Sequence, residues 1–165
     1  MELRLKKLEL IKAIVLFFLP IILIIVNKEM RPSISDYAYS VHNGVFYTLM
    51  SLSGTLYIYN GVINRSKWYN IVLGLALIGI GLTPHLDYPF WHYLFACVYF
   101  TGSIIVIPIF TSNKQRKLKL ILSLLITISL LGFVVFDWYS LFIAEWLALT
   151  VICFHFIGES IGKFD

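Results

Sequence analysis

Charge is what this chain has least of. Only 13% of its 165 residues are Asp, Glu, Lys or Arg, about half the roughly 25% typical of a soluble domain. With 59% hydrophobic residues gathered in long uncharged runs, the composition excludes an ordinary water-soluble domain and points to the bilayer. Cysteine is scarce as well. Cys97 and Cys153 both fall inside apolar runs and form no C-x-x-C pair, which excludes a disulfide framework and a dithiol redox site; both read as small buried hydrophobes. There is no glycine-rich nucleotide loop, dinucleotide fingerprint or nucleophile elbow. Internal repeats and low-complexity tracts are absent too. The net charge of +4 does not indicate nucleic acid, because the basic residues are divided among short connections between apolar runs.

What is present is a succession of apolar segments, and the fold class they predict is all-α: a polytopic bundle of six transmembrane helices in a single domain covering 1–165. The expected spans are 8–26, 41–63, 68–82, 88–110, 118–136 and 141–161. The first follows a basic segment (Arg4, Lys6, Lys7, Lys12) in the manner of a signal peptide, but the run ends in Val26-Asn27-Lys28-Glu29 with no small-x-small cleavage site. It reads as an uncleaved span with Lys12 snorkelling to the surface. The third span is short and holds Gly74, Gly79 and Gly81, which permit close helix approach. The abundant Tyr and Trp suit the membrane–water interface.

Six spans place both termini on one side, and the basic residues test that arrangement. Eleven of the 13 Lys and Arg lie in segments on the terminal side, against Lys28 and Arg31 alone on the other. By the positive-inside rule both termini are expected in the cytoplasm.

The chemistry gathers at the opposite, outer side. Thr83-Pro84-His85-Leu86-Asp87-Tyr88-Pro89-Phe90-Trp91-His92 carries two prolines, two histidines and an aspartate amid apolar sequence, and reads as a tight turn with a polar tip. His85, Asp87 and His92 are candidate metal ligands, since imidazole and carboxylate suit zinc. No two of them stand at the one-face helical spacing of a zinc motif, and Pro89 separates Asp87 from His92. The competing reading is a solvated interfacial turn. In the second span, Ser40, Asn43, Tyr47, Ser51 and Gly54 fall on one stripe at 100° per residue, with His42 beside it, and are expected to face the interior. His92, Ala96, Tyr99 and Ser103 form the matching stripe in the fourth span. Glu145 is an ionisable residue inside a span, which is costly unless it faces a cavity or a partner; His42, His85 and His92 are its candidate partners. These positions define a candidate pocket of His42, Asn43, Tyr47, Ser51, Tyr99 and Glu145. His155 and Glu159, four residues apart, are expected to make a local contact nearer the cytoplasm.

The segment Arg31-Pro32-Ser33-Ile34-Ser35-x-Tyr37, followed by Phe46, Gly54 and Tyr59-Asn60-Gly61, with Pro84 and the aromatic start of the fourth span, resembles an uncharacterised family of small bacterial six-helix membrane proteins, distantly similar to the Frag1/DRAM/Sfk1 family. The likeness covers residues 31–110, and departs at Asp36, Ala38 and the His-Leu-Asp turn. It implies a bacterial cytoplasmic (inner) membrane protein, and by analogy a connection with lipids. Three functions follow as expectations. The first is a non-enzymatic protein that binds membrane lipids or another membrane protein through the outer polar pocket. The second is a zinc-dependent lipid hydrolase similar to the ceramidase–progestin-receptor superfamily, with Ser51, His85, Asp87 and His92 as counterparts; that superfamily has seven helices and paired histidines on the last, where this chain has only His155. The third is a small proton-coupled transporter working through Glu145, although the inverted repeat common in transporters is missing.

Overall fold

Six α-helices form where the sequence has its six apolar runs: α1 (Glu2–Asn27), α2 (Asn43–Ile63), α3 (Tyr69–Leu82), α4 (Pro89–Ile109), α5 (Arg116–Val134) and α6 (Leu141–Ser160). The computed structural model describes residues 2–111 and 113–164, with side chains from Lys7 onward; the side chains of Arg4 and Lys6, counted above among the basic residues, lie outside it. Apart from the start of α1, every helix begins and ends within two residues of its expected span. The breaks have local causes. Pro89 opens α4 at its first turn, where a missing N–H costs nothing. Ser140 caps α6 by accepting the Ile143 N–H at 3.5 Å. The connection before α5 turns through Gln115, whose φ is 59°.

Four helices are long and apolar enough to span a membrane: Lys7–Asn27 within α1, α4, α5 and α6. The expectation of six such helices meets two exceptions with different reasons. α3 is apolar but has only 14 residues, or roughly 21 Å at 1.5 Å per residue, against a hydrocarbon core of about 30 Å. α2 has the length, with 21 residues, but it carries Asn43, Thr48, Ser51, Ser53, Thr55 and Asn60 among its apolar side chains.

The helices form a ring. Each packs on its neighbour in sequence, and α6 closes against α1. Leu16, Leu19 and Leu23 of α1, Tyr57 of α2, Leu73 of α3, Tyr99 of α4, Ile126 of α5 and Phe156 of α6 meet in its centre. The outward faces are apolar too: Leu75, Leu124, Ile128 and Leu147 are all exposed. The connections sort to two ends. The terminal end holds the α2–α3 and α4–α5 connections and both chain ends, as the contacts of Lys67 with Glu9 and Glu159 and of Lys114 with the Gly162 carbonyl show. The opposite end holds residues 28–42, the 83–88 turn and the α5–α6 turn, as the Phe142 N–H bonded to the Pro32 carbonyl shows.

The tightest joint in the ring is α2 on α3. A methyl added at Gly74 would lie 2.5 Å from the Gly54 carbonyl oxygen, and one at Gly54 would lie 2.7 Å from that of Gly74. Only glycine lets two backbones approach this closely. Gly74→Ala is therefore expected to lower stability by about 1–3 kcal/mol, the usual cost of overpacking. A thermal melt in detergent checks this; a melt identical to wild type would show that the helices part freely.

Candidate functional site

The opposite end is closed by residues 28–42, which form a plug around a short 3-10 turn, Ser35–Tyr39. Its folding is local first. The Ser33 N–H and hydroxyl both donate to Asp36 Oδ2 at 2.9 Å, and the Asp36 N–H returns a bond to Ser33 Oγ. Tyr37 is fully buried against Phe142, and its hydroxyl donates to the Glu29 carbonyl at 2.7 Å. Burial raises the Tyr37 phenol above its usual pKa, with a smaller opposing pull from the Arg31 backbone hydrogen bond, so it stays the donor.

Three elements then pin the plug. From α6, Glu145 Oε2 accepts the Ile34 N–H at 2.7 Å. From α4, His92 bridges Thr83 and Ser35: Nδ1 lies 2.7 Å from the Thr83 carbonyl and Nε2 lies 3.0 Å from Ser35 Oγ. A carbonyl only accepts, so Nδ1 carries the proton. From the 83–88 turn, His85 Nε2 lies 3.3 Å from Asp36 Oδ1, while Tyr39 accepts the Leu86 N–H and donates to Asp87.

Beneath the plug lies a groove of about 620 Å³. Its upper end is polar, with Ser33, Ser35, Asp36, His85, His92, Ser140 and Glu145. Its walls are apolar, with Ala96 and Phe100 from α4, Leu130, Phe133 and Val134 from α5, and Leu141 from α6. Tyr93, Cys97, Thr101 and Val134 are exposed, so the groove opens to the outside of the bundle between α4 and α5. Ser35, Ala96, Phe100 and Glu145 also border a central cavity of about 40 Å³ that reaches Tyr99 and is otherwise almost wholly apolar.

The expected site residues separate into two groups. Glu145, His85 and His92 meet at the groove, and Tyr99 lines the central cavity. His42, Asn43 and Ser51 are exposed and line neither space, and Tyr47 is half-buried with its hydroxyl on the Ala38 carbonyl. The α2 stripe is thus corrected in part: Ser40 and Gly54 are buried as expected, but the rest of the inner face is Phe46, Met50, Ser53, Tyr57, Asn60 and Gly61. The glycine joint with α3 sets that rotation, and small polar side chains outside it are accommodated locally, as where Thr48 bonds back to the Gly44 carbonyl at 2.7 Å. The α4 stripe faces inward as expected, with His92, Tyr99 and Ser103 buried.

The candidate metal ligands His85, Asp87 and His92 each have other partners. Among the described residues no three His, Cys, Asp or Glu side chains are placed to hold a metal ion. Both His92 nitrogens are engaged, His85 faces Asp36, and the exposed Asp87 is turned to Tyr39. Glu145 takes a backbone N–H rather than any of its candidate histidines. Asp36, which joins the plug to His85, was not among the expected site residues.

The terminal end holds a second polar group. Lys67 bridges Glu9 at 2.6 Å and Glu159 at 3.0 Å, and His155 lies 3.6 Å from Glu159, so the expected local contact belongs to a larger network. Lys12 does not snorkel. It is fully buried, with its ammonium 3.4 Å from the Phe156 ring centre, 4.1 Å from that of Tyr57 and 3.5 Å from Asn70 Oδ1. Two aromatic faces and an amide oxygen give it inside the bundle what snorkelling would have given it outside.

Fold and site together define an all-α helical bundle with a polar-headed, apolar-walled groove under a plugged end. The chain belongs to a family of unknown function, DUF7103, whose model matches residues 18–160. No curated protein and no solved structure matches it significantly.

Two outcomes are expected. Zinc in the detergent-purified protein should fall well below one per chain; near-stoichiometric zinc, lost in a His85→Ala/His92→Ala double variant, would reinstate the metal site. Lys67→Ala leaves Glu9 and Glu159 facing each other with Lys67 gone, and should cost about 3–5 kcal/mol as breaking a buried pair does, read as a lower melting temperature. A wild-type melt would mean the bridge contributes nothing.

Proposed function

We propose that this is a non-enzymatic multi-pass membrane protein that holds a lipid in the groove between α4 and α5. In this reading all six helices sit in the bacterial cytoplasmic membrane. The short α3 is accommodated by local thinning, and α2 is carried by its contacts with α1 and α3. The excess of Lys and Arg at the terminal end puts both termini in the cytoplasm, so the plug and the groove's polar end lie at the outer leaflet.

The observation that carries the reading is the groove's two-part lining. A cavity of about 620 Å³ is of the size that takes a small ligand or part of a larger one. Its acidic and imidazole groups lie toward the plug, while the lining continues along α4 from His92 to Thr101, roughly 14 Å at 1.5 Å per residue. Head at one end and tail along the other is the shape of an amphiphile entering sideways from a leaflet. The resemblance to the Frag1/DRAM/Sfk1 family adds an analogy with lipids in the same direction. The hydrolase reading lacks a metal-ligand set among the described residues, and the transporter reading finds the central cavity lined almost wholly by apolar side chains.

Cys97 gives the test. It is exposed and lines the groove, whereas Cys153 is buried. Adding phospholipid to delipidated protein in detergent should slow maleimide labelling of Cys97 severalfold, and Ala96→Trp, which fills the groove, should abolish lipid retention. Labelling indifferent to lipid, together with full retention in Ala96→Trp, would sink the proposal.

A further inference from the structure

We propose that the lipid held in the groove carries a primary ammonium in its head group, and that Glu145 is its seat. The inference rests on the lipid-binding reading above and narrows it to one head-group class.

Charge complementarity is the first support. The titratable groups facing the polar end come from every element around it: Asp36 of the plug, His85 of the 83–88 turn, His92 and Tyr93 of α4, and Glu145 of α6. Two are carboxyls, and no Lys or Arg is among the residues that line the groove. A head group that is only anionic would face two acids with no cation to offset them, and like charges brought together oppose binding. A cationic head finds the opposite situation.

The geometry then selects Glu145. Both Asp36 oxygens are occupied, Oδ2 by the two Ser33 donors and Oδ1 by His85. Glu145 uses only Oε2, on the Ile34 N–H. That bond fixes the carboxyl in place and leaves Oε1 without a partner at the groove's edge. The site is therefore pre-oriented for one strong donor. A primary ammonium offers three N–H donors, and the Ser140 hydroxyl lines the same end as a further acceptor. A quaternary ammonium has no N–H to give to Glu145 Oε1 and so cannot make the bond that this carboxyl is oriented to accept.

The test uses full-length protein in detergent, stripped of lipid and titrated by native mass spectrometry. The ligands are phosphatidylethanolamine, phosphatidylcholine and phosphatidylglycerol with identical acyl chains. Wild type should bind the ethanolamine lipid at least tenfold more tightly than either other lipid, and successive N-methylation should erase the preference. Glu145→Gln should bring the ethanolamine lipid to the level of the choline lipid without changing the latter. The wild-type series stands on its own if the variant folds poorly. Equal binding of all three lipids, blocked by Ala96→Trp, would overturn the head-group inference and leave the groove. A preference for phosphatidylglycerol would overturn it equally. Binding that Ala96→Trp does not touch would remove both this inference and the reading beneath it.

Discussion

The bond from the Ile34 N–H to Glu145 decides how the open end of this bundle is built. A connection of some fifteen residues laid across apolar helix ends brings backbone donors and acceptors that must be satisfied where water is scarce. Several of them are met inside the plug, by the 3-10 turn and by the exchange between Ser33 and Asp36. The Ile34 N–H is met from outside, by an acid on α6. The same need explains His92, which joins the end of α3 to the plug through Thr83 and Ser35. Two ionisable residues in apolar helices thus act first as acceptors and bridges for a connection. Any ligand role they have is added to that duty.

The two ends solve the same problem differently. At the terminal end, charges meet one another: Lys67 is shared between two acids, and Lys12 is wrapped by aromatic rings. None of these residues lines the groove or the central cavity. At the plugged end the acids meet backbone and histidine, and one carboxyl oxygen is left over. The terminal end is not fully satisfied either, since the Asn60 amide and Glu159 Oε1 are buried there without a hydrogen-bond partner.

Most of the fold was legible in the sequence because apolar run length and loop composition are local signals. Helix limits fell within two residues of expectation wherever a proline, a capping serine or a charged turn marked them. The α4 face was legible too, since His92, Tyr99 and Ser103 stand out against apolar neighbours. The α2 face was not, and the reason is physical. In a chain whose outside is as apolar as its inside, a polar stripe no longer identifies the core, and Thr48 can face outward by bonding its own backbone. The rotation of α2 was decided by Gly54 and Gly61 against α3, a long-range fit that no periodicity encodes. Lys12 went astray for a similar reason: the rings of Tyr57 and Phe156 that receive it come from positions 45 and 144 residues away. Asp36 escaped attention because its partner His85 lies on a different connection.

The groove follows from these commitments. At the plugged end α4 is held toward the plug by His92, and α6 is held to it by Glu145 and by the Phe142 N–H on Pro32. The last turns of α5 are drawn the other way, into the turn that follows: the Tyr139 hydroxyl donates to the Ser129 carbonyl at 2.9 Å, and its ring lies against Gly132 so closely that a methyl there would collide with it. Tyr139 belongs to the connection into α6, so α5 is tied to the start of α6 on one side, while the groove lies on its other side, toward α4. The groove is lined from three helices and the plug together, and in the proposed bilayer setting the molecules at hand to occupy it are amphiphiles.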